Sequence, residues 1–420
     1  MPRLVDRQID KLLSAFGAVE IVGSRWCGKT WTAMAHGESI VHIDDPQTKA
    51  IAEADPLLIL EGERPHIVDE WQEVPRIWDA ARRSIDTEGE KGLFLLTGSS
   101  SLSKDEVTHS GAGRIARLRM RPMSLYESGE SSGDVSLAGL FEGDFRPKAV
   151  STDLRDIAKF VCRGGWPGAL SLSDELHIET ATQYLDTLLT ISVPKNGKNE
   201  NIARKLLTSL ARNLGQSVTH KTIAEDMGKG EEDSDSEYTH YLIDTYLEMF
   251  EGQYFIENLK GWDAPIKSKS RLRTKPKRYF VDPSLTAATL SITPERLVQN
   301  MQLFGNLFEE LCIRDLRTYA AAMPSALPEP LYYYRDSDDL EVDAIIELRD
   351  GRWGAIEIKL SEDKVEKATQ NLIRLKNKIL SNTGAQNSPP SFMAVIVGKT
   401  DFQRVTEDGI FVIPITSLKS

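Results

Sequence analysis

Gly23 to Thr30, GSRWCGKT, is the stretch whose reading decides the rest of the chain. The apolar run Ala18 to Val22 precedes it, and the helical segment Trp31 to His36 follows. Strand, glycine-bearing loop and helix start in that order make a P-loop. Backbone N–H groups of such a loop point inward, and the first helical turn adds unpaired donors and partial positive charge. A polyphosphate is then gripped with few side chains. Gly23, Ser24, Arg25, Trp26, Cys27, Gly28, Lys29, Thr30 and Trp31 are therefore expected around ATP. Lys29 would reach the β- and γ-phosphates and Thr30 would ligate Mg²⁺. Gly23 and Gly28 stand where the loop needs its least hindered backbone.

At 420 residues, with 40% hydrophobic and 27% charged residues, the chain has the size for two to four soluble domains. Its net charge of -12 excludes a general nucleic-acid coat but leaves room for a local basic surface. Cys27, Cys162 and Cys312 lie far apart without metal-ligand spacing, which fits a reducing compartment. The amino-terminal MPRLVDRQIDKLL lacks a signal-peptide core, and no apolar run approaches membrane-spanning length. A cytoplasmic protein without a membrane partner is expected.

Downstream of the loop, Ser39 to Ile43 reads as a second strand, and PHIVDEWQEV (Pro65 to Val74) contains a short third one ending in Asp69-Glu70. Open α/β sheets place ligands at the carboxyl ends of their strands. An acid pair there has defined work: Asp69 holds Mg²⁺ and Glu70 orients or deprotonates the attacking water. GLFLLTG (Gly92 to Gly98) is the next buried strand. Thr97 and Ser99 at its end either sense the γ-phosphate or cap the following helix. GAGRIARLRMR (Gly111 to Arg121) carries four arginines. Arg114 is a candidate charge-stabilising arginine for the same or a neighbouring site, against the alternative of a solvated basic face.

The order P-loop, Asp-Glu strand, LFLLTGSSS, GAGR, RPMSLYE and RGGWPGAL (Arg163 to Leu170) resembles that of prokaryotic AAA-type ATPases carrying a carboxyl-terminal DUF4143 domain. The resemblance covers most of the chain. It implies an α/β fold with a P-loop AAA-type parallel sheet, and ATP with Mg²⁺ as cofactors. Pro65 and His66 depart from it, standing where such proteins show apolar residues. Sites completed across a subunit boundary are common in AAA-type domains, so a homo-oligomer is an expectation.

The middle of the chain is read as a linker and helical lid over 129–200. ESGESSGD (Glu127 to Asp134) is its surface loop, and Asp153 to Cys162 and Ile178 to Ile191 are its helices. Helical Ile202 to Leu214, short helix Thr219 to Met227, acidic loop Glu231 to Ser236, helix Tyr238 to Glu248 and strand Tyr254 to Leu259 follow. IKSKSRLRTKPKR (266–278) then concentrates seven Lys and Arg residues. That order is a winged helix-turn-helix over 201–292, which the resemblance also implies; DNA contact and protein docking are the two uses open to it.

The last third, 293–420, reads as a restriction-endonuclease-like α/β domain. Helix FGNLFEELCIRDL (Phe304 to Leu316) offers Glu309; a hairpin offers Asp343 in one arm and Glu357 with Lys359 in the other, on one face. These are the residue types of a PD-(D/E)xK nuclease core. Asp343 and Glu357 would bind Mg²⁺ or Mn²⁺, Lys359 would steady the developing charge, and Glu309 would orient a metal-bound water. With the ATPase core placed at 1–128, three functions compete: an ATPase coupled to DNA, a nucleotide-gated DNA-binding regulator without turnover, and an ATP-controlled nuclease.

Overall fold

The computed structural model describes residues 2–98, 110–228, 240–263, 275–381 and 388–420. Ser99, the acidic loop 231–236 and basic residues 266–274 lie outside the described residues. By contacts the chain divides into two compact units, Met1–Pro122 with Glu248–Phe255 and Met123–Leu247 with Ile256–Ser420. No helix among the described residues is long and apolar enough to cross a membrane.

In the first unit, strands β1 (Ala18–Val22), β2 (Ser39–His42), β3 (His66–Asp69), β4 (Phe94–Gly98) and β5 (Ile115–Arg119) form one parallel sheet in the order β2-β3-β4-β1-β5. The apolar runs do not alternate because both sheet faces are covered. Val19, Ile21, Ile67, Leu95 and Leu118 pack with Ile9 and Ala33, from helices Asp6–Leu13 and Lys29–Met34. Ala18, Val68, Phe94 and Leu96 pack with Ala52, Ile77, Ala81 and Ile85, from helices Pro46–Ala54 and Arg76–Glu88. The strand order inserts β4 between the P-loop strand and the Asp69 strand, so Thr97 stands beside Asp69 in register.

In the second unit, the segment expected to be a linker and lid is part of the core. Val135–Ser136 (β6) pairs with Leu418–Lys419, and Lys148–Ala149 (β7) pairs with Phe402–Val405. Ser131 is buried and donates to the Leu418 carbonyl at 2.7 Å, which corrects its reading as a surface loop residue. Helices Leu154–Arg163 and Asp174–Thr187 pack against Pro283–Thr289. Three further helices, Glu200–Arg212, His220–Asp226 and His240–Gly252, precede an antiparallel hairpin of β8 (Ile256–Leu259) and β9 (Lys277–Phe280).

The carboxyl-terminal sheet runs β10 (Ala326–Arg335), β11 (Glu341–Leu348), β12 (Trp353–Ser361), β13 (Phe392–Lys399), β15 (Phe411–Pro414), β14 (Phe402–Val405), then β7. Helix Met301–Ala322 packs on β10 and β12, and helix Val365–Ser381 on β11 to β13.

Two of the motifs behind the family resemblance meet in a buried polar network of this unit. Arg314 is fully enclosed and donates to Asp282 at 2.9 Å and to Asp315 at 2.7 and 2.9 Å. Asp282 accepts from the Gly165 N–H, and Asp315 from the Leu125 N–H. Trp166 donates to Ser284. A Cβ on Gly165 would lie 2.1 Å from the Met123 carbonyl oxygen, so only glycine fits. RPMSLYE and GGWPGAL are thus fold determinants: removing one partner of such a buried pair costs about 3–5 kcal/mol.

Candidate functional site

The P-loop leaves β1 at Gly23, whose φ of 155° and close approach to the Met120 carbonyl (2.1 Å from a built Cβ) exclude a side chain. Gly28 is left-handed at φ 98° and caps the Lys29 helix. Arg3 supports the loop from below: its guanidinium donates to the Cys27 carbonyl and to the Arg121 carbonyl, both at 2.8 Å. Lys29 is buried, and its ammonium turns onto the loop's own Gly23 and Ser24 carbonyls at 3.0 and 2.9 Å. Among the described residues the buried Ser24 hydroxyl has no hydrogen-bonding partner. Cys27 is buried, whereas Arg25, Trp26 and Trp31 are exposed.

Asp69 is the hub of the site. One carboxylate oxygen accepts from Thr30 Oγ1 at 2.9 Å and from Thr97 Oγ1; the other accepts from His42 Nδ1 at 3.0 Å. Three strands and the helix that follows the P-loop are therefore joined at one carboxylate on the carboxyl edge, as the parallel topology requires. Glu70 follows in a left-handed conformation (φ 53°) that few non-glycine residues adopt, and its carboxylate accepts from Gln72 Nε2. Thr30, Asp69 and Thr97 are brought together as expected.

Arg114 is not. It precedes β5, at the end of the sheet opposite the P-loop, because β5 runs parallel to β1 with Ala18 beside Ile115. Its Nε donates to Asp86 at 2.8 Å, and Nη1 donates to the Ala112 carbonyl. Within one chain it cannot reach the loop, which corrects that assignment for the same site. Arg119 stands at the carboxyl end of β5, in register with Val22, its guanidinium 5.0 Å from the Tyr254 ring.

In the second unit, the hairpin brings Asp343, Glu357 and Lys359 together. Lys359 Nζ lies 2.9 Å from Asp343 Oδ2 and 2.5 Å from Glu357 Oε2. Asp343 also accepts from the Ile358 N–H at 2.7 Å, and Glu357 from Asn371 at 3.2 Å. Glu309 accepts from Tyr279 at 2.6 Å and from Lys277 at 3.2 Å; Lys277 also reaches Glu341 at 2.7 Å. Burial pushes the Glu357 carboxyl up to about 8, with Asp343 adding to the rise and Lys359 opposing it. Burial likewise raises Glu309, against the pull of Lys277. Asp343 feels the same burial but is held below the usual carboxylate range by Lys359 and Lys277.

These contacts correct one expectation. Lys277, counted in the basic segment, is buried and neutralised internally, so it is no free surface charge. Among the described residues no group of three or more His, Cys, Asp or Glu side chains is arranged to hold a metal ion. Asp343 and Glu357 share an ammonium instead.

Residues 16–129 match the AAA domain family AAA_14, and 304–418 match DUF4143, a domain of unknown function. The chain joins an AAA domain to a DUF4143 domain. Residues 154–296 match a further domain of unknown function, DUF8612. Uncharacterized proteins of Mycobacterium bovis and Mycobacterium tuberculosis are each 25% identical over 349 residues, 81% of this chain and 70% of theirs. The Walker-type ATPase PABY2304 of Pyrococcus abyssi aligns at a TM-score of 0.44 and 12% identity, over 68% of this chain and 94% of its own. The ORC1 protein of Aeropyrum pernix, solved with DNA, aligns at 0.27 and 13%, over 69% and 93%.

Three residues of the first unit escaped the sequence reading. His42 ends β2 beside Asp69, a register that only the strand order reveals. Gln72 reaches Glu70 through a left-handed turn with no sequence mark. Arg3 sits two dozen residues before the loop it supports and looks like any basic residue at a helix start. In the DUF4143 domain, Lys277 and Tyr279 arrive from β9, outside the segment read as nuclease-like.

Proposed function

We propose that the AAA domain binds ATP with Mg²⁺ and hydrolyses it, and that nucleotide state governs DNA binding by the helices and hairpin of 200–280. The observation that carries the first part is the convergence of Thr30, Thr97 and His42 on Asp69 beside a buried lysine bonded only to carbonyl oxygens. The residues present fit the nucleotide: among the described residues the buried Ser24 hydroxyl lacks a partner, and Lys29 is a cation with no carboxylate among its hydrogen-bonding partners. Lys29 and the loop N–H groups would hold the triphosphate, and Thr30 with Asp69 would hold Mg²⁺. The metal, when bound, neutralises phosphate charge. Glu70, held by Gln72, takes the proton of the attacking water; Thr97 and His42 keep Asp69 oriented.

The second part rests on element order: three helices followed by an antiparallel hairpin is the arrangement in which one helix enters the major groove and the wing meets phosphate. The deciding experiment measures ATP turnover and duplex-DNA affinity together, at two salt concentrations. Turnover that requires Mg²⁺ and DNA affinity that changes with nucleotide are expected, with binding weaker at high salt. Nucleotide-dependent DNA binding without turnover would favour the regulator reading, and equal affinity with and without ATP would remove the coupling.

A further inference from the structure

The carboxylates at the β11–β12 hairpin have the residue types of a divalent metal site and a geometry that receives ammonium groups instead. Each of two lysines bridges two acids: Lys359 spans Asp343 and Glu357, and Lys277 spans Glu309 and Glu341. Other donors take up further lone pairs, from the Ile358 N–H on Asp343, Asn371 on Glu357 and Tyr279 on Glu309. The Lys277 side chain is 3% exposed, and its backbone is fixed in β9 by pairing with Leu259. A Mg²⁺ ion needs six oxygens at about 2.0–2.1 Å, most of them waters or carboxylates. To admit one, the protein would have to expel two lysines already in contact with the oxygens.

We propose that Glu309, Glu341, Asp343 and Glu357, closed by Lys277 and Lys359, form an internal ion-pair lock that fastens hairpin β8–β9 to the DUF4143 sheet and neither binds a divalent cation nor cleaves nucleic acid. A lock of this kind gives the hairpin one seat, because Lys277 cannot leave without stripping Glu309 and Glu341 of the ammonium they share. Tyr279 belongs to the same fastening, since its hydroxyl reaches Glu309 from the strand that carries Lys277.

The test uses the full-length protein without nucleotide, titrated with Mn²⁺ and followed by electron paramagnetic resonance. Wild type, Glu309→Gln and Asp343→Asn should bind the same amount of Mn²⁺, and wild type should leave supercoiled plasmid intact. A Mn²⁺ ion lost in either variant, or nicking that disappears in Lys359→Ala, would overturn the proposal. Thermal unfolding gives an independent arm: Lys277→Met should lower Tm by roughly 5 °C or more. Glu309→Gln should then cost less in the Lys277→Met background than in wild type, whereas additive losses would show that the two are uncoupled. If Lys277→Met fails to fold, the Mn²⁺ and plasmid results on wild type and Glu309→Gln still decide.

Discussion

Lys29 and Lys277 are both buried lysines at the ends of secondary-structure elements, and their counter-ions distinguish the two regions of the molecule. Lys29 donates to the Gly23 and Ser24 carbonyls. Lys277 sits between Glu309 and Glu341. A buried cation held by neutral dipoles is a place for an incoming anion, because its desolvation is only partly offset. One placed between carboxylates has its anions already. The P-loop region is therefore built to respond to ligand, and the hairpin region to hold its shape.

Breaking each side separately sharpens the contrast. The largest effect belongs to Glu70→Gln, which should slow ATP turnover by about 10²–10⁴-fold while nucleotide affinity stays within about threefold, measured by phosphate release and by fluorescent-nucleotide titration. Lys29→Ala should weaken nucleotide binding by about 10²-fold, the loss of one strong charge-assisted contact. Arg3→Met removes the two 2.8 Å bonds that seat the loop, and affinity should fall about tenfold with little change in the affinity-corrected rate. Normal binding in both of the last two variants would mean that the loop does not grip phosphate.

The last effect is a slope rather than a step. Glu310 is buried, accepts from the Phe280 N–H and Thr286 Oγ1, and is pushed up by burial to about 8 from an ordinary value of 4.5. A carboxyl raised on folding binds its proton more tightly in the folded state. Its contribution is complete below the unfolded value and is lost as pH rises through the folded one. Unfolding free energy of the second unit should therefore fall between pH 5 and 8 in steps of up to about 1.4 kcal/mol per unit. Glu310→Gln should flatten that slope in urea titrations run across the range, and an unchanged slope would assign it to other groups.

Strand positions were legible wherever burial is one-sided or complete. Ala18–Val22 and Glu341–Leu348 appear as read, since apolar runs and alternation leave little choice. The Glu127 to Asp134 stretch was not legible. Its small polar residues have the composition of a solvated loop, yet Ser131 is buried against the chain's last strand, 287 positions away. Arg114 failed for a related reason: spacing after a glycine pair fixes a turn, while the end of the sheet that the turn occupies depends on strand direction.

By itself the sequence determined the glycine-lysine loop, the acid pair and the run of strands, because backbone geometry, glycine positions and apolar periodicity are local properties. Tertiary structure decided which side chains meet. It set His42 and Thr97 on Asp69 through strand order, and it brought Lys277 from a distant hairpin to acids that would otherwise read as a metal site. The physical reason is that a charge takes its function from its counter-charge, and counter-charges are supplied by packing across the chain rather than along it.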